Sequence, residues 1–164
     1  MKVLWAPWRM EYILSEKEEK GCIFCHGGDR TGDKERLILY MGTMTTVMMN
    51  KFPYNNGHLL VAPVRHTRDF EGLSPEENLD LILMVRKSLA ILKKEMRPEG
   101  FNVGLNLGKV AGAGVEEHMH FHIVPRWNGD TNFMTVTGEV RVIPEHIQKT
   151  YETLRPYFVS YGSE

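Results

Sequence analysis

Glu117-His118-Met119-His120-Phe121-His122-Ile123-Val124-Pro125-Arg126 is the stretch on which the whole reading turns. Three of the chain's seven histidines alternate there with Met and Phe. Successive side chains of a strand point to opposite faces, so His118, His120 and His122 share one face, and Met119, Phe121 and Ile123 share the core side. Imidazole titrates near neutrality. A neutral ring nitrogen can attack phosphorus and form a covalent nucleotidyl-histidine, while a neighbouring ring serves an oxygen or the leaving group. Two other readings compete: a row of histidines on a solvated strand face, and a metal cage. A cage ordinarily also takes a carboxylate or a distant histidine in register. The loop just before the strand favours phosphate. Its Gly108, Gly112 and Gly114 allow close backbone approach, and free N–H groups in such a loop can cradle an anion.

Upstream of that loop, Leu37–Met41, Thr45–Asn50, His58–Ala62 and Phe101–Leu107 read as strands; Pro63 closes the third. Pro53–Gly57 is a turn cluster. Ser74-Pro75-Glu76-Glu77 is a helix start, with Ser74 as cap, Pro75 at the first helical position and Glu77 completing a capping box. Leu79, Ile82, Val85, Leu89, Leu92 and Met96 recur at three- and four-residue steps, which predicts one apolar stripe on a helix from 75 to 96. Pro98 and Gly100 end it. The histidine row makes a fifth strand, Glu117–Val124, stopped by Pro125. Pro144 opens a last helix with Ile147, Tyr151 and Leu154 on one side, stopped by Pro156. Strands gathered around one long helix predict an α+β domain with a mostly antiparallel five-stranded sheet and a C-terminal helix. Residues 1–20, with Trp5 and Trp8 packed on the body and a solvated charge run from Glu16 to Lys20, read as an N-terminal extension; residues 136–164 read as a C-terminal one.

The full chain of 164 residues fits one domain. It is 42% hydrophobic, enough for a core without disulfide staples. Twenty Lys and Arg against 21 Asp and Glu leave a formal charge of -1, which argues against a general nucleic-acid-coating protein. No run approaches the roughly 20 apolar residues of a membrane span. Pro7, Arg9 and Glu11 break the N-terminal apolar stretch, so a secretory signal is not expected and the expected location is the cytoplasm. The two cysteines form Cys22-Ile23-Phe24-Cys25. In a reducing compartment that spacing points to metal or redox chemistry, and by itself it is half a zinc site. His26 is a cramped candidate for a further ligand.

The His-x-His-x-His strand, its glycine loop and the separate Gly57-His58-Leu59-Leu60-Val61-Ala62-Pro63 motif resemble the histidine triad family of nucleotidyl hydrolases and transferases. Glu116–Trp127, then Gly129-Asp130 and Asn132-Phe133, together with Leu4-Trp5-Ala6-Pro7-Trp8-Arg9, are similar to a bacterial branch that includes diadenosine tetraphosphate phosphorylases. The resemblance implies His120 as nucleophile and His122 as the contact to phosphate or scissile bridge. It implies His58 as a fourth histidine that holds the triad, Asn50 on ribose hydroxyls and Asn106 on phosphate. Gly114 and Val115 stand where many relatives have Gln or Ser, so backbone N–H groups of the Gly112–Gly114 loop replace a side-chain contact there. Arg126 and Trp127 are candidates for phosphate and base, with packing as the alternative role for both. In the zinc-bearing relatives His66 and His118 complete the site begun by Cys22 and Cys25, which removes His118 from the substrate. A homodimer with the two sheets joined is also implied. The expected substrate is a dinucleoside polyphosphate, with inorganic phosphate or water as acceptor and no nucleic-acid or membrane partner. A nucleoside phosphoramidate hydrolase and a non-catalytic nucleotide sensor with structural zinc are the competing functions.

Overall fold

The computed structural model describes residues 21–25, 28–130 and 145–159. The expectations for Trp5, Trp8, the 16–20 run, His26, Asn132-Phe133 and the Pro144 helix start fall outside them. The strands are β1 (Ile38–Met41), β2 (Thr45–Met49), β3 (Leu59–Pro63), β4 (Gly100–Leu105) and β5 (Phe121–Arg126); the helices are α1 (Pro75–Met96) and α2 (Ile147–Val159). The sheet order is β1-β2-β3-β5-β4, and every neighbouring pair is antiparallel. This is the α+β architecture that the sequence predicts.

Alternation divides the sheet. Val47, Met49, Leu59, Val61, Met119 and Ile123 join α1 and α2 in the main core, with Phe121 packed against it. Ile38, Met48, Leu60 and Ala62 form a smaller cluster with Phe24 on the opposite face. His122 lies opposite Leu60 on β3 and opposite Gly104 on β4, so it shares the face of the smaller cluster. The expected split, core residues one way and imidazoles the other, is therefore present for His122; the expected strand from Glu117 begins only at Phe121, and His118 and His120 reach the smaller cluster through Phe24.

Both halves of the α1 capping box form: Glu77 N–H donates to Ser74 Oγ at 3.2 Å, and Ser74 N–H donates to Glu77 Oε2 at 2.8 Å. Arg97 closes the helix in the left-handed conformation, just before Pro98. The expected stripe is out of phase. Leu79 and Ile82 are 60% and 53% exposed, while Leu81, Met84, Ser88 and Ile91 join Val85 and Leu92 as buried residues. Leu81, Met84, Ser88, Ile91 and Leu92 also recur at three- and four-residue steps. The helix carries two overlapping apolar stripes, and the sheet covers only one.

Two prolines placed as strand or helix stops do not stop their elements. β5 begins at Phe121 and runs through Pro125 to Arg126. Pro125 lies beyond the last β3–β5 pair, Leu59 with Ile123, and its carbonyl accepts from Asn55 Nδ2 at 3.0 Å, so its missing N–H costs no ladder bond on that side. His118–His120 precede β5, where Met119 N–H donates to Thr67 O at 2.8 Å. Helix α2 continues past Pro156 to Val159. Pro156 removes one helical donor in the final turns. Anchors on either side offset that: Leu154 and Phe158 are buried, Tyr151 Oη–H donates to Ile38 O at 3.1 Å, and Arg155 pairs with buried Asp33 at 3.0 Å.

Gly57 sits immediately before His58 with φ of 72°, and a Cβ there would stand 2.5 Å from Met96 Sδ. Gly57→Ala is therefore expected to cost about 1–2 kcal/mol from the left-handed backbone alone. Urea unfolding measures it; an unchanged midpoint would show that the turn relaxes without cost.

Candidate active site and metal cluster

Hydrogen bonds fix the tautomers of the histidines one after another. Tyr54 N–H donates to His58 Nδ1 at 3.1 Å, with Asn50 Nδ2 a further 3.3 Å contact, so Nδ1 of His58 is the acceptor and Nε2 carries hydrogen. His58 Nε2–H then points at His122 Nδ1, 3.0 Å away, which leaves hydrogen on His122 Nε2. His120 Nδ1–H donates to the backbone carbonyl of His118 at 2.9 Å, so the lone pair of His120 is on Nε2. The His120 and His122 rings lie 4.8 Å apart, centre to centre. Burial lowers the pKa of His120 below the usual 6.5, and the bond to His118 opposes this in part. Burial, then the neighbouring His120, lowers His122 to about 4. Both rings are neutral at pH 7. One presents a bare nitrogen, the other an N–H donor, which suits attack on an electrophile whose oxygen needs a hydrogen bond.

Asn50 thus stands beside His58, and its Oδ1 accepts from Phe52 N–H at 2.9 Å. Asn106 Nδ2 donates to Gly112 O at 3.4 Å and ties down the glycine loop. Within that loop the N–H groups of Ala111, Gly112 and Ala113 go to the carbonyls of Gly108 and Lys109. The Gly114 N–H takes no part in these turn bonds. Arg126 is engaged elsewhere: it makes a bidentate pair with Asp130 at 2.6 and 2.8 Å and donates to Asn102 Oδ1 at 2.8 Å. Trp127 is half-buried, and its backbone N–H donates to the same Asp130. Tyr54 was not singled out in the sequence, yet its ring lies 4.7 Å from His58 and 5.9 Å from His122. The only sequence signal for it was its place in the Pro53–Gly57 turn.

Cys22, Cys25, His66 and His118 come together, each with a ligand atom within 4.8 Å of the others. Cys22 Sγ is 3.2 Å from His118 Nδ1, and Cys25 Sγ is 3.3 Å from His66 Nδ1. His118 Nε2–H donates to Pro63 O at 2.8 Å, so its Nδ1 lone pair faces the thiols. Sulfur and nitrogen ligands of a tetrahedral metal stand about 3.5 Å apart, and two thiols with two imidazoles are a common structural donor set. The residues fit a metal ion. Without one, burial and Cys22 hold the Cys25 thiol up to about 11, so binding would displace its proton.

A histidine row leading into β5, with a bare nitrogen on His120, His122 relayed to His58 and His118 turned to thiols, is the pattern of a histidine triad protein. The chain belongs to the HIT family: the HIT domain model matches residues 31–129. It is 38% identical over 158 residues to a Mycobacterium tuberculosis protein named AP-4-A phosphorylase, covering 92% of this chain and 81% of that protein. It is 30% identical over 133 residues to a Schizosaccharomyces pombe adenosine 5'-monophosphoramidase, covering 81% and 95%. A zinc-bound histidine triad family protein from Mycobacterium smegmatis superposes with a TM-score of 0.62 at 26% identity, covering 77% of this chain and 86% of that one.

Proposed function

We propose that the chain cleaves dinucleoside polyphosphates by nucleotidyl transfer through His120, with diadenosine tetraphosphate as substrate and inorganic phosphate as acceptor. One observation carries the reading: the bond from His120 Nδ1–H to His118 O leaves Nε2 bare in a buried, neutral ring. That nitrogen attacks the α-phosphorus, a P–N bond forms, and the P–O bond to the bridging oxygen breaks to release ATP. His122 Nε2–H hydrogen-bonds that oxygen as charge develops on it, with His58 behind it holding the ring. The His118 carbonyl stabilises the positive charge on the nucleotidyl-imidazole. Phosphate then attacks the same phosphorus, the P–N bond breaks back to His120, and ADP leaves. Asn50 would hold ribose hydroxyls; Asn106 and the Gly112–Gly114 backbone would face phosphate. The Arg126–Asp130 pair favours the packing role for Arg126 and Trp127.

With diadenosine tetraphosphate and phosphate, the products should be ADP and ATP. AMP and ATP at every phosphate concentration would sink the phosphorylase reading and leave the triad chemistry in place. Adenosine phosphoramidate belongs in the same assay, because the Schizosaccharomyces pombe relative is named as a phosphoramidase. The pKa shifts also set the pH dependence. A depressed imidazole pKa keeps the attacking nitrogen unprotonated as pH falls through 6.5. On the His120 side kcat/KM is therefore expected to be flat through neutral pH and to fall only in more acidic solution. A rate already halved at pH 7 would contradict a neutral triad.

Zinc at Cys22, Cys25, His66 and His118 would be structural, since four protein ligands leave no open position for substrate. It would tie the Cys22–Cys25 loop to the catalytic strand. The reading includes a homodimer. Among the described residues β4 pairs only with β5, and Val103 on it is 43% exposed. Leu79, Ile82 and Leu83 on α1 are exposed as well, and a second copy would cover such a face. A cytoplasmic location agrees with two free thiols.

A further inference from the structure

The metal cluster and the His120 nucleophile share two physical connections. His118 offers its Nδ1 to the cluster, and its own carbonyl is the acceptor that fixes the His120 tautomer, 2.9 Å away. Phe24, between the two cysteines, is 3% exposed and packs on both rings, 5.0 Å from His118 and 4.9 Å from His120 centre to centre. Phe24 is fixed from behind by Ile38, Met48, Leu60 and Ala62, so it cannot move without disturbing that cluster. Cys25 and His66, by contrast, stand on the exposed side.

We propose that Phe24 and the His118 backbone are positioning elements through which the filled metal cluster holds His120 in its Nδ1–H tautomer. The proposal rests on the reading of His120 as nucleophile for its kinetic consequence, but not for its structural one. When the cluster is filled, His118 is held at both ring nitrogens, by metal and by Pro63 O, and its carbonyl is aimed at His120. When it is empty, one of those constraints is gone, and the loop carrying Phe24 loses its tether. His120 can then rotate or place its hydrogen on Nε2, which removes the lone pair from the site. Misplacing a reacting atom by about 1 Å costs on the order of 100-fold in rate.

The test uses whole protein labelled with nitrogen-15 in histidine, as purified and after chelation, at one fixed pH. The His120 signal is identified by its loss in His120→Ala. The loaded protein should show hydrogen on Nδ1 alone, and the metal-free protein a mixture of both tautomers. Phe24→Leu should keep about one metal ion per chain, show the same mixture, and lower kcat by about 10- to 100-fold with KM within about twofold. An unchanged His120 signal both after chelation and in Phe24→Leu overturns the coupling. A variant that raises KM at constant kcat and leaves the tautomer alone also overturns it, because Phe24 would then be a binding contact. If the tautomer shifts as expected but no dinucleoside polyphosphate or phosphoramidate is turned over, the coupling stands and the catalytic reading falls.

Discussion

His120→Ala is expected to lower turnover by about 10,000-fold or more while nucleotide binding survives. The size follows from what one ring supplies. On the proposed reading its Nε2 would form the covalent bond, its burial keeps it neutral, and its Nδ1–H bond to the His118 carbonyl would stabilise the positive charge of the intermediate. These functions act on one transition state and vanish together, so the loss is one large step rather than a sum of small ones. On the same reading binding would depend on other groups, namely Asn50, Asn106 and the loop backbone, which the substitution leaves in place. Single-turnover rates and calorimetric titration with a nucleoside monophosphate separate the two quantities. A variant within tenfold of the wild-type rate would mean that another group attacks phosphorus.

Metal analysis of protein never exposed to chelator should find about one zinc per chain, and Cys22→Ser should find none. The same substitution is expected to lower the thermal midpoint by about 6–12 °C. That is the shift which a loss of about 3 kcal/mol produces in a domain of this size, if metal binds about 100-fold or more above its dissociation constant. Cys22 is the informative position because its Sγ lies 3.2 Å from buried His118, whereas Cys25 is exposed. Wild-type protein without zinc would retire the metal and leave Cys22, Cys25 and His66 as packing residues around His118.

Much of this was legible in the chain because local signals and tertiary demands agree. The Ser74 box and Pro75 mark the start of α1 by backbone chemistry alone. His122 could be placed on the face away from the main core because a strand has a period of two, while His118 and His120 lie just before β5 and reach that side through their contacts with Phe24. What was not legible depends on neighbours. Leu79 and Leu81 are equally apolar, and only the position of the sheet decides that Leu81 is covered. Pro125 and Pro156 look like stops from their own geometry. Pro125 is tolerated because the β3–β5 pairing has already ended at Leu59 and Ile123, and Pro156 because the Ile38 and Asp33 anchors hold the helix around it. Arg126 likewise reads as a free cation until Asp130 is seen to grip it. Tyr54 carries no pattern at all; its backbone N–H matters only because the turn brings it to His58.

The four candidate metal ligands are far apart along the chain: His118 follows Cys22 by 96 residues, and His66 follows Cys25 by 41. No short segment can assemble them. Cys22 and Cys25 can meet His118 only once the polypeptide up to His118 has been laid down. A bound ion would therefore join segments that are distant in sequence. If those contacts form after the main folding barrier, strengthening them would act chiefly on the rate of escape from the native state. A filled cluster would on that account be a latch on the finished sheet, one that lengthens the lifetime of the assembled molecule more than it hastens its birth.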